Sequence, residues 1–211
     1  RGLYEKDLVL DVSQRLGKLI EDRLGSQVVY TRDDDTFIPL QDRTAIANRE
    51  KADLFLSIHA NSSRAETAYG FETYYLNFSP LKADMDVAAR ENASGDRTIA
   101  DLNDLVKQIA MNDKLGESRE FATHVQESTH SLTVKTNGKT RNRGVKKAPF
   151  VVLIGARMPS VLVEIGFLTN RNEENQMKKA EYRQKIAEAL FHGISGYADT
   201  LSHFNVASAK A

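Results

Sequence analysis

The sequence predicts an α/β fold, with a mostly parallel twisted sheet, helices on both faces and an inserted helical segment. Three observations lead there. Helix-like and strand-like patterns alternate from Tyr4 to His59. Two apolar, strand-like runs each carry one ionisable side chain, His59 in LFLSIH and Glu164 in SVLVEIGF. The stretch 79–131 reads as helical with no strand inside it. Alternation of this kind places parallel strands in one layer and the connecting helices on either side of it.

Each element follows from local pattern. Between Tyr4 and about Leu24, the residues Leu8, Val9, Val12, Leu16, Leu19, Ile20 and Leu24 form the stripe of an amphipathic helix, and Gly25 supplies the stop. Gln27–Arg32, built around VVYT, reads as a short strand closed by Asp33, Asp34 and Asp35. Pro39–Lys51 is helical, and Asp53–His59 is a buried strand. Asn61–Thr67 is polar and loop-like, whereas Gly70–Leu76 (GFETYYL) alternates as a strand does. Ser79–Ser131 has room for two or three helices, with turn signals at Ser94, Gly95 and Asp96. Val134–Arg143 reads as a polar loop. Strands are expected over Phe150–Ile154 and Ser160–Phe167, joined by a turn around Gly155 and Pro159. Helices over Arg171–Lys179 and Glu181–His203 close a single domain spanning 1–204, and 205–211 is expected to be a frayed tail.

Composition narrows the function. A chain of 211 residues with 41% apolar and 27% charged side chains lies in the globular range. Lys plus Arg and Asp plus Glu both number 29, so no net field favours nucleic acid or an anionic membrane. The absence of cysteine removes disulfides, thiolate metal sites and a cysteine nucleophile, so any metal must be held by His, Asp or Glu. It also fits an oxidising compartment. The apolar runs are too short to span a bilayer, so no transmembrane segment is expected. No signal peptide precedes Arg1, and for an exported protein the targeting segment would lie outside this chain.

Three side chains invite chemistry. His59 ends a buried strand, at the edge where open α/β sheets place ligand sites; the plain alternative is a ring satisfied by backbone hydrogen bonds. Glu164 interrupts an apolar strand, where an ionised carboxylate costs several kcal/mol unless a metal, a cation or hydrogen bonds compensate it. A buried ion pair is the structural alternative. Glu5 shares the core-facing side of the first helix with Leu8, Val9 and Val12, although a first-turn glutamate also suits the helix dipole. His124, His130, His192 and His203 have no partner at metal-binding spacing and read as surface or capping residues.

The segments GLYEKD, TRDDDTFIPLQDRTAIAN, ADLFLSIHAN, GFETYYLN, NRGVKKAPFVVL and MPSVLVEIGFLTN, in that order, resemble the zinc-dependent N-acetylmuramoyl-L-alanine amidases with a single α/β catalytic domain. The resemblance runs over nearly the whole chain. It implies Zn²⁺ as cofactor, Glu5 and His59 as zinc ligands and Glu164 as the catalytic carboxylate. It also implies a first strand and a loop bearing a third ligand, a histidine, ahead of the GLYEK segment and so upstream of Arg1. The implied partner is peptidoglycan and the implied location is periplasmic or otherwise extracytoplasmic. Some relatives that act in cell division carry an inserted helix which blocks the metal site until an activator protein displaces it. In the 79–131 stretch, Asp84, Asp86, Glu91, Asp101 and Asp104 are candidates for a blocking ligand, and solvated helix faces are the alternative reading. A catalytically silent peptidoglycan-binding or regulatory module with the same fold is the rival functional expectation.

Overall fold

Strands β1 (Phe55–Asn61), β2 (Phe71–Leu76), β3 (Asn142–Ala148) and β4 (Ser160–Phe167) form one sheet in the order β1-β4-β2-β3. The computed structural model describes residues 2–93, 114–137 and 141–208, and for 132–137 and 202–208 it describes the backbone alone. β1 and β4 pair in parallel, as do β2 and β3, while the central β2/β4 pair is antiparallel. The sheet is therefore mixed and mostly parallel. Every residue of β4 is buried, which explains why its sequence runs apolar without alternation.

Helices cover both faces. On one face lie α1 (Glu5–Leu24), α4 (Leu115–Asn137) and α6 (Ala180–Ser208), whose residues Leu8, Val12, Phe121, Val125, Ile186 and Leu190 pack on Val161, Val163 and Ile165. The other face carries α2 (Leu40–Arg49) and α3 (Lys82–Asn92), packed on Tyr74, Leu76 and Leu162. A short helix α5 (Arg171–Met177) follows β4 and is capped by Asn170, whose side chain accepts hydrogen bonds from the amides of Asn172 and Glu173. Helix α1 ends as its sequence predicts, with Gly25 left-handed at φ 65°. Gly193 allows α4 and α6 to touch, because a Cβ there would come within 2.7 Å of the Val125 backbone. No helix among the described residues is long and apolar enough to cross a membrane.

Four expectations are corrected. Gln27–Arg32 is not a strand, because nothing pairs with it among the described residues: a trough of about 1010 Å³ separates this segment from the edge strand β1. Phe150–Ile154 forms a 3₁₀ turn over Val151–Leu153. All of 150–154 is buried, and the Val152 carbonyl accepts a hydrogen bond from the Thr44 hydroxyl of α2. Most of Val134–Arg143 is regular structure: α4 continues to Asn137, β3 begins at Asn142, and 138–140 lie outside the described residues. β3 looks polar because it is an edge strand, half exposed along most of its length. Of the expected tail over 205–211, residues 205–208 continue α6, which runs through Ser208, and the rest lies outside the described residues. The 79–131 stretch holds α3 and most of α4, while Ser94, Gly95, Asp96, Asp101 and Asp104 lie outside the described residues.

Candidate active site

Helix α1 begins beside the carboxyl end of β1, which brings Glu5 to His59 across 54 residues of chain. Glu5 Oε1 accepts hydrogen bonds from His59 Nδ1 and from the Ala60 amide, both at 3.0 Å. Glu91, from the last turn of α3, places Oε2 2.8 Å from the same His59 nitrogen. Burial opposes a charge on the ring, but its hydrogen bonds to the Glu5 and Glu91 carboxylates outweigh it and the His59 pKa is pushed up to about 10. Burial also works against the Glu5 carboxylate, yet His59 and the Ala60 amide hold it below the usual carboxylate range.

Register extends the site across the sheet. His59 is paired with Glu164 on β4, and Glu164 with Glu72 on β2, so the three side chains share one face. Glu164 is fully buried, and neither of its oxygens has a hydrogen-bond partner among the described residues. Burial therefore drives its pKa well up, aided by the nearby Glu91, Glu5 and Glu72, with only His59 pulling the other way. Glu72 is the opposite case. Its Oε2 meets Arg143 at 2.7 Å and Lys146 at 2.8 Å, and its Oε1 accepts from the Asn61 side chain at 2.7 Å. These partners overcome burial and hold it low.

Two cations reach one carboxylate because β3 bulges. Phe71 pairs with Asn142 and Thr73 with Val145, so two residues of β3, Arg143 and Gly144, stand opposite Glu72. Gly144 takes φ 82°, a conformation that side-chain-bearing residues rarely adopt. Helix α3 lies over the whole row. Asp84, Val87 and Ala88 are buried, Glu91 faces His59, Asp84 Oδ1 lies 3.3 Å from Lys146 Nζ, and Arg90 donates to the Asn61 side chain at 3.2 Å.

The family model of the N-acetylmuramoyl-L-alanine amidases, Amidase_3, matches residues 1–196. The chain belongs to this family. It is 34% identical to the amidase AmiC of Escherichia coli over 92% of this chain and 47% of AmiC, and so spans about half of that relative. It is 33% identical to Escherichia coli AmiA over 93% of this chain and 69% of AmiA. A solved N-acetylmuramoyl-L-alanine amidase from Clostridium difficile superposes with a TM-score of 0.70 at 31% identity, covering 93% of this chain and 85% of that one. The chain is therefore placed among enzymes that cut an amide.

The donor set of this family member suits a divalent cation. One ligand atom from each of Glu5, His59 and Glu91 lies within 4.8 Å of the others. Ligands about 2.0–2.2 Å from a tetrahedral ion stand roughly 3.3–3.6 Å apart, so a cation replacing the proton shared at His59 needs only small shifts. The unpaired Glu164 oxygens next to it would then have a polar neighbour. The structure brings together Glu5, His59 and Glu164, the three side chains singled out in the sequence. Glu91 stood among five acidic candidates, and only its place at the end of α3 distinguishes it. Glu72, Asn61, Arg143 and Lys146 were missed, because GFETYYL reads as an alternating strand in which a glutamate looks solvent-facing. His124 and His130 are half-buried rather than superficial, since α4 packs on α6; His192 is exposed, and the His203 side chain lies outside the described residues.

Proposed function

We propose that the protein is a zinc-dependent amidase that hydrolyses the amide between N-acetylmuramic acid and L-alanine in peptidoglycan, acting outside the cytoplasm in cell-wall remodelling. The observation that carries this reading is Glu164, buried and unpaired, in register with His59 while Glu5 and His59 face a common point. Glu5 and His59 would hold the ion, with a histidine from a strand upstream of Arg1 as third ligand. The trough beside the open edge of β1 suits such a strand, since Glu5 and His59 are among its lining. Zinc, when bound, would polarise the scissile carbonyl and lower the pKa of a water to about 7. Glu164 then takes the proton from the attacking water and returns it to the leaving nitrogen of L-alanine. Its raised pKa suits the return of that proton, and a cation bound beside it would favour the ionised form that the first half needs.

Helix α3 regulates the site in this reading. Glu91 sits on His59 where substrate must approach, so α3 is a blocking element and an activator protein displaces it. Glu91→Ala should raise turnover of purified peptidoglycan about tenfold or more, and removal of 81–112 should do the same. Unchanged rates in both would contradict autoinhibition. Glu164→Gln tests the chemistry: it should fold and bind zinc as the wild type does, and release almost no peptide. Near wild-type release would sink the assignment.

A further inference from the structure

The polar row continues past Glu164, and its far end carries more positive charge than the sheet itself needs. Arg143 and Lys146 both bind Glu72 Oε2, two cations on one carboxylate. The second balancing carboxylate comes from outside the sheet: Asp84 of α3, buried, 3.3 Å from Lys146 Nζ and accepting from the Ser79 hydroxyl at 2.8 Å. If α3 leaves the row, it takes Asp84 with it. One cation then faces the opened channel without a counter-charge.

Spacing matches a substrate. Asp84 and Glu91 are seven residues apart on one face of α3, about 10.5 Å along the helix axis. An extended peptide covers that distance in about three residues at roughly 3.3–3.6 Å each. Helix α3 thus sets one carboxylate at the proposed metal ligands and a second at Lys146. Beside Lys146 a cavity of about 390 Å³ is already open, lined by Arg119, Lys146 and Lys147, with Asp84 the one carboxylate in its wall.

We infer that Lys146, backed by Arg143, recognises a carboxylate of the peptide about three residues from the scissile amide, and that Asp84 occupies this place when α3 is docked. The inference rests on the proposed reading in which α3 covers the substrate channel. It makes Lys146 a specificity-determining residue for an anionic peptide. Glu72 acts through Lys146, holding the ammonium group over the row.

Calorimetric titration of the zinc-loaded full chain tests this with two probes, a muramoyl tripeptide with free carboxylates and the same tripeptide with its carboxylates amidated. Asp84→Ala should bind the free-carboxylate probe about tenfold more tightly than the wild type does and gain little for the amidated probe. Adding Lys146→Met should erase that preference, and adding Lys146→Arg should keep it. Equal affinity of Asp84→Ala for the two probes would overturn the inference, as would a preference that survives Lys146→Met. The comparison of probes on Asp84→Ala decides the matter even if the Lys146→Met protein does not fold. Hydrolysis followed in parallel separates the two claims. Cleavage without carboxylate preference contradicts only the role of Lys146, whereas preference without any cleavage contradicts only the amidase reading.

Discussion

Glu72 and Glu164 are neighbours in the same ladder, and their surroundings give them opposite characters. Glu72 is held ionised by Lys146 and Arg143 against the pull of burial, while burial without a partner keeps Glu164 reluctant to ionise. Glu72→Gln should therefore destabilise the fold by about 3 kcal/mol in urea unfolding at pH 7, because it takes the buried carboxylate from Arg143 and leaves Lys146 with Asp84 alone. The sign of the pH dependence follows from the depressed pKa. The contribution of Glu72 is complete above its ordinary value of 4.5 and is lost as pH falls through the lower folded value, so the variant and the wild type should converge in acid. A gap that stays constant down to pH 2 would contradict this ion-pair account. Glu164 was legible in the sequence because a lone carboxylate stands out in an otherwise apolar strand. Glu72 was not, because GFETYYL alternates and a glutamate there looks like an ordinary solvent-facing residue.

Helices and strands differed in how far they could be read. The stripe from Leu8 to Leu24 fixes α1, since the period of an amphipathic helix is set within the helix itself. A strand needs a partner, and pattern alone does not say whether one exists. Gln27–Arg32 has strand composition and pairs with nothing among the described residues, while polar β3 pairs along its length with β2. The approach of α4 to α6 at Gly193 is likewise a long-range fact, visible only once Val125 is seen against it. Gly193→Val should push these helices apart, costing about 1–3 kcal/mol of stability by thermal or urea unfolding. An unchanged melting temperature would show that the contact is looser than drawn.

For the molecule as a whole, the site joins α1, β1, β4 and α3, so a bound cation ties together elements distant in sequence. Under the proposed reading zinc would bind the folded arrangement and not the unfolded chain, so added zinc should raise the melting temperature roughly with the logarithm of its concentration and a chelator should reverse the gain. His59→Ala should abolish the response. A melting temperature indifferent to zinc in the wild type would count against the metal site. The rival view, a silent peptidoglycan-binding module on the same fold, expects peptidoglycan binding without the zinc response, and the reaction product separates the two as well. The most direct measurement is end-group analysis of purified peptidoglycan after incubation with the zinc-loaded Glu91→Ala protein, with and without Glu164→Gln. New amino-terminal alanine, no new reducing sugar ends, and loss of the alanine signal in the Glu164→Gln variant are the predicted result. Binding without new alanine amino termini, or equal release by the Glu164→Gln variant, would contradict it.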